Sequence, residues 1–190
     1  LSGYFEGAPI RIDEKLKAEI TKILHEDRAS VPSKMNAILR PYQERGYAWM
    51  YKNLKLGLGS VLADDMGLGK TLQVITLIQK LKDDNALTNQ PVLVIAPTTL
   101  LSNWQREINR FAPDLNLMLF HGSNRKSNFK GLDVIITTYG MARSENKLLS
   151  QQPWAVLIID EAQNIKNTET GQTKAVKSIP AKAKVAMSGT

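Results

Sequence analysis

The stretch Ser60–Val61–Leu62–Ala63–Asp64–Asp65–Met66–Gly67–Leu68–Gly69–Lys70–Thr71–Leu72 sets two glycines, a lysine and a threonine between an apolar run and a helix-forming one. Gly67 and Gly69 allow the backbone to curl until successive N–H groups point inward. Such a nest, with the positive end of the following helix behind it, attracts a phosphate. Lys70 would then reach the β- and γ-phosphates of a nucleotide, and the Thr71 hydroxyl would ligate Mg²⁺. Met66, Leu68 and Leu72 complete the enclosing turn. Asp64 stands where the strict pattern G-x-x-x-x-G-K-[ST] has its first glycine. The competing reading is a glycine-rich turn with a surface lysine; the flanking strand and helix favour the cradle.

Nucleotide hydrolysis also needs carboxylates, one for the magnesium shell and one to polarise water. Ala155–Val156–Leu157–Ile158–Ile159–Asp160–Glu161–Ala162–Gln163 is an apolar strand ending in two acids. Asp160 is expected to contact Mg²⁺ through water, and Glu161 to orient and deprotonate the attacking water. Alone, the pair could be an ordinary acidic turn after a buried strand. With the glycine loop upstream, at a spacing that allows several intervening β-α units, it becomes the second half of a site.

The elements that must hold these groups alternate. Helices are expected at 43–56, 70–82, 100–111 and 173–179, and strands at 60–63, 91–96, 115–120, 133–138, 156–159 and 184–187. Alternation of this kind implies an α/β fold: a parallel sheet in three layers, with helices on both faces. Its ligands sit beyond the carboxyl ends of the strands. A helix over 12–27, capped by Asp13, precedes a Ser/Pro-containing linker, so residues 1–35 are expected to be an appendage and 36–190 the nucleotide-binding body.

The bulk composition sets outer limits. A chain of 190 residues with 43% hydrophobic and 23% charged residues is ordinary for a globular domain. The absence of cysteine excludes disulfides and thiolate metal sites, which fits an intracellular setting. Apolar runs are strand-length, far below the roughly 20 residues of a membrane span. The first residues lack the pattern of a signal peptide. A start at Leu1 without methionine suggests a piece of something larger. Residues 1–35 hold six basic and six acidic side chains, so the whole net charge of +7 lies in 36–190. A basic body favours a polyanionic partner. Arg125 and Lys126, with Lys130, are candidates to track phosphate, against the plainer reading of a solvated loop.

With these residues in view, 36–190 resembles the superfamily-two helicase fold and, within it, the Swi/Snf ATPases. Leu39–Arg40–Pro41–Tyr42–Gln43 is similar to the family's adenine-reading motif, which would put Gln43 on the base. Ala63 to Thr71 resembles its phosphate loop, with Asp65 where glutamate is frequent. Val94 to Trp104 resembles a segment that touches the DNA backbone through Thr98 and Thr99, and Ile136 to Tyr139 a second one offering Thr137, Thr138 and Tyr139. Asp160–Glu161–Ala162–Gln163 resembles the helicase box in a form ending in glutamine rather than histidine; Gln163 can hydrogen-bond toward the γ-phosphate region. Ser188–Gly189–Thr190 resembles the motif that couples hydrolysis to lobe movement. The resemblance implies a first RecA-like lobe that uses ATP and Mg²⁺ and binds duplex DNA through its backbone, without sequence preference. It also implies a second lobe whose arginines complete the site, so 1–190 alone is expected to be a monomer with little turnover.

Other classes are open at this point. A P-loop GTPase or kinase-like phosphotransferase would share the loop, but no Asn-Lys-x-Asp guanine-reading motif is present. A non-catalytic docking module would not need Lys70, Thr71, Asp160 and Glu161 together. Trp49, Met50 and Leu54 are expected in the core. Trp104 is divided between packing and nucleic acid, with packing favoured. His25 and His121 lack metal-ligand company.

Overall fold

The computed structural model describes residues 13–15, 18, 21, 29–65, 67–122 and 127–189, and the backbone of 4–5 and 8–9. Two short strands, β1 (Tyr4–Phe5) and β2 (Ala8–Pro9), pair antiparallel. Most of the helix expected over 12–27 lies outside the described residues. Asp13 does accept a hydrogen bond from the Lys15 N–H at 2.9 Å.

The body then runs α1 (Pro41–Lys55), β3 (Ser60–Leu62), α2 (Lys70–Asp83), β4 (Val92–Ala96), a 3₁₀ turn (Thr98–Leu100), α3 (Leu101–Phe111) and β5 (Leu117–Leu119). It continues with β6 (Val134–Thr138), α4 (Tyr139–Ser144), α5 (Asn146–Ser150), β7 (Trp154–Ile159), a 3₁₀ turn (Ala162–Ile165), α6 (Gly171–Ser178) and β8 (Ala181–Met187). Strands β3 to β8 form one parallel sheet in the order β3-β8-β7-β4-β6-β5.

The central strands are apolar at nearly every position because both faces are covered. Val92, Val94, Ile136 and Ile158 join one core with Tyr47 and Met50 of α1, Val74 and Ile78 of α2, and Trp104 and Ile108 of α3. Their alternates Leu93, Ile95, Ile135 and Leu157 join another, with Ala142 of α4, Leu149 of α5 and Val176 of α6. Side chains of a strand point alternately to its two faces, so one continuous apolar run serves two cores. Each fully buried side chain of this size stabilises the fold by about 1.5–3 kcal/mol relative to exposure.

Two expectations need correction. Trp49 is 45% exposed, not core. Adjacent helical residues are turned by about 100°, so Met50, with Gln43 and Tyr47, takes the inner stripe and Trp49 points outward. The stretch after β6, left without elements by the sequence, forms α4 and α5. The Thr138 hydroxyl starts α4 by accepting the Met141 N–H at 3.2 Å.

Ala29, Val31 and Met35 pack against the first core, and the Tyr47 hydroxyl donates to the Ser30 carbonyl at 3.1 Å. The linker stretch therefore lies on the body.

Candidate nucleotide site and its acids

Because the sheet is parallel, the carboxyl ends of β3, β8, β7, β4 and β6 share one edge. All of the described candidate segments leave from it or pack behind it. The glycine loop follows β3, Ser188 follows β8, Asp160 follows β7, Thr98 follows β4, and Tyr139 follows β6.

Gly67 and Gly69 both take left-handed backbone, with φ of +84° and +73°. Gly69 caps α2 in that conformation. A Cβ there would lie 2.3 Å from Gln43 Nε2, whereas a Cβ on Gly67 would meet nothing within 4 Å among the described residues. The loop is thus closed toward α1 and open on its other side. The Lys70 ammonium donates to the Asp64 and Asp65 carbonyls at 2.6 and 2.9 Å, which holds it over the loop. Thr71 is half-buried in the first turn of α2, as is Leu72, while Leu68 is exposed. Met66 lies outside the described residues. Asp64, at the position of the missing glycine, accepts a long hydrogen bond of 3.4 Å from Gln73, fully buried in α2.

Gln43 is 7% exposed. Its Oε1 accepts the Arg40 N–H at 2.9 Å, and its Nε2 donates to the Leu68 carbonyl at 3.1 Å. The Tyr42 hydroxyl donates to the same carbonyl at 3.1 Å. A primary amide has two protons and two acceptor sites, so Gln43 keeps one of each beyond these bonds.

Asp160 is 8% exposed at the end of β7. Burial pushes its carboxyl above the usual carboxylate range. The Trp104 indole N–H, the Glu161 N–H and, more distantly, Lys70 pull the other way. Those bonds are 2.8 Å from Trp104 Nε1 to Oδ2 and 2.9 Å from the Glu161 N–H to Oδ1. Glu161 itself has φ +51° and ψ +54°, an uncommon conformation for a side-chain-bearing residue. The Gln163 amide donates to Glu161 Oε2. Ser188 closes the chain: its hydroxyl donates to Gln163 Oε1 at 3.1 Å and its N–H to the Leu62 carbonyl at 3.1 Å. Strand β8, lying between β3 and β7, therefore ties the acidic turn back to the strand that launches the loop. Gly189 is half-buried beside it, and Thr190 lies outside the described residues.

The segments expected on DNA divide. Thr98 and Thr99 are exposed on the turn after β4. Thr137, Thr138 and Tyr139 are buried. The Thr137 hydroxyl donates to the Phe120 carbonyl at 2.8 Å, and the Tyr139 hydroxyl donates to the carbonyls of Asp160 and Glu161. The side chains of this segment, which the resemblance would set against the DNA backbone, are thus engaged within the fold. Arg125 and Lys126 lie outside the described residues.

Comparison with known proteins now decides the family. Residues 42–190 match the family described as SNF2-related domain. The chain belongs to that family. Its solved relatives include the Sulfolobus solfataricus SWI2/SNF2 ATPase core in complex with dsDNA, at 43% identity and a TM-score of 0.79 over 85% of this chain. Its curated relatives include YwqA of Bacillus subtilis, 36% identical over 98% of this chain. The ISWI chromatin-remodeling complex ATPase ISW1 of Saccharomyces cerevisiae is 36% identical over 84%. The chain spans 34% of the Sulfolobus chain, 21% of YwqA and 15% of ISW1. It corresponds to the first lobe of the SWI2/SNF2 core, with the RecA-like P-loop fold.

Three SNF2-domain residues gain roles that sequence reasoning did not give them. Trp104 and Tyr139 grip the acidic turn, and Gln73 meets Asp64. Trp104 and Tyr139 were visible within motifs, but their partners are 56 and 21 residues away along the chain. Only the fold brings them together.

Proposed function

We propose that this SNF2-related domain is the ATP-binding lobe of a DNA-dependent ATPase that moves along duplex DNA and remodels DNA–protein complexes. The main support is that the glycine loop of β3 and the acids of β7 open on one sheet edge, one strand apart. Ser188 and Gln163 link the two.

The residues present suit a magnesium nucleotide. The left-handed loop is open at Gly67, a lysine ammonium lies over it, and a carboxylate held by two donors faces the same edge. Lys70 exchanges the carbonyls of Asp64 and Asp65 for phosphate oxygens. Gln43 offers adenine its remaining proton and acceptor site. Thr71 and Asp160, the latter through water, are the residues that would hold Mg²⁺, which when bound neutralises charge on the phosphates. Glu161 takes the proton from the attacking water, and Gln163 holds the carboxylate that does so. Thr98 and Thr99 face the phosphodiester backbone, which carries no base information, so binding is sequence-independent. A second RecA-like lobe supplies the arginine charge for the transition state. Residues 1–35 form an appendage to this lobe.

The test is phosphate release with and without duplex DNA, from residues 1–190 and from the same residues joined to a following lobe. We expect slow turnover from the first and DNA-stimulated turnover from the second, since a missing arginine typically costs about 10³-fold or more. Glu161→Gln in the longer protein removes turnover while ATP still binds. Full-speed turnover from residues 1–190 alone would overturn the half-site reading.

A further inference from the structure

Two side chains converge on the acidic turn from elements outside the glycine loop and its flanking strand and helix. Trp104 sits on α3, directly after the exposed turn Thr98–Leu100, and is 1% exposed. Its indole N–H points at Asp160 Oδ2, 2.8 Å away. Indole nitrogen is a donor only, so this contact stabilises the ionised carboxylate and fixes its rotation. Tyr139 begins α4, one residue after Thr138 caps that helix. Its hydroxyl donates to the main-chain carbonyls of Asp160 and Glu161. The Glu161 carbonyl also accepts the Asn164 N–H at 2.9 Å and the Asn164 side-chain amide at 2.8 Å. A left-handed glutamate persists only where its surroundings over-determine it. Here they do: three donors, the Tyr139 hydroxyl and the two N–H groups of Asn164, reach its carbonyl and the neighbouring one.

Resting on the nucleotide-site reading above, we propose that Trp104 and Tyr139 are positioning residues for the magnesium-side acid and the candidate base. Through them, the segments after β4 and β6 set the magnesium-dependent part of nucleotide binding. Trp104 aims the Asp160 carboxylate; Tyr139 fixes the main chain from which both acids project. Neither touches nucleotide, so metal-free affinity is independent of them.

The structure contains its own control. Trp154 is 2% exposed, and its indole N–H donates to the Leu149 carbonyl at 2.7 Å, in the core on the opposite face of the sheet. Trp154→Phe therefore removes a buried indole hydrogen bond, here to a neutral carbonyl, and the same volume as Trp104→Phe, away from the acids. The measurement is calorimetric titration of a non-hydrolysable ATP analogue into residues 1–190, with Mg²⁺ and with EDTA, for wild type, Trp104→Phe, Tyr139→Phe and Trp154→Phe. The ratio of the two affinities is the readout. Trp104→Phe lowers it about tenfold, the scale of one charge-assisted hydrogen bond, and Tyr139→Phe lowers it severalfold. Trp154→Phe leaves it unchanged, as does every variant its EDTA affinity. If Trp104→Phe does not fold, Tyr139→Phe, which keeps its ring, decides. A ratio unchanged in the folded variants, or lowered equally by Trp154→Phe, overturns the proposal and leaves the nucleotide site standing; a ratio near one in wild type overturns it together with the magnesium part of that site. Absence of binding by wild type under both conditions overturns both readings.

Discussion

Replacing Gly69 by alanine would place a Cβ 2.3 Å from Gln43 Nε2 at a residue whose φ is +73°. The conformation costs an L-residue roughly 1–2 kcal/mol. The contact forces Gln43 off the Leu68 carbonyl, with the loss of one hydrogen bond worth about 1 kcal/mol. The sum is about 2–3 kcal/mol, equivalent to roughly 30- to 140-fold in an equilibrium constant. Gly67 provides the reference, because its φ is +84° but a Cβ there meets nothing among the described residues. Gly67→Ala should therefore cost only the conformational part, about 1–2 kcal/mol. If the loop keeps its shape, the loss appears as stability in urea unfolding; if it relaxes, it appears as weaker nucleotide binding. The quantity to compare is the sum of the two losses, from denaturation and calorimetry on each variant. Equal sums for Gly67→Ala and Gly69→Ala, or a sum below about 1 kcal/mol for Gly69→Ala, would refute the close approach of Gln43 to the loop.

Two further outcomes are expected. Burial is the largest single influence on Asp84 and pushes its carboxyl up, but the Lys80 ammonium and the Tyr51 hydroxyl, each at 2.6 Å, outweigh it and leave the group below its ordinary range. A depressed carboxylate contributes stability above its unfolded pKa and loses it as pH falls through the folded one. Asp84→Asn should thus lower stability by about 0.5–1 kcal/mol at neutral pH, and melting curves should converge below about pH 4; a constant gap would contradict this. Duplex DNA should bind weakly, without sequence preference, and more weakly as salt rises, with Thr98→Asp and Thr99→Asp reducing affinity on all sequences alike; salt-insensitive binding in a fluorescence-anisotropy titration would contradict backbone contact.

The parts legible in the sequence were those where local chemistry is also global position. β4 and β7 are apolar at every residue, and β6 over Val134–Ile136, because two cores cover them, and the glycine loop announces itself through Gly67, Gly69, Lys70 and Thr71 at fixed spacing. Helices α4 and α5 were missed because they are six and five residues long, too short for a helical period to emerge. Trp49 departs from its expected place in the core because apolar character does not set direction, and Met50 beside it holds the inner stripe. Thr137 and Thr138 were found as a motif, but which way a strand-end side chain turns depends on what β5 and α4 offer it. The bonds of Trp104 and Tyr139 to the acidic turn could not be read at all. A donor and acceptor on separate elements, far apart along the chain, have no local signature.

The central claim is that the loop of β3 and the acids of β7 make one magnesium-nucleotide site that prefers adenine. Its most direct test is calorimetric titration of residues 1–190 with ATP and with GTP in Mg²⁺, alongside Lys70→Ala. The account predicts weak binding of ATP, weaker binding of GTP because Gln43 suits adenine, and no binding by Lys70→Ala, whose ammonium is the group held over the loop by Asp64 and Asp65. Undiminished ATP binding by Lys70→Ala, or equal affinity for ATP and GTP, would contradict it.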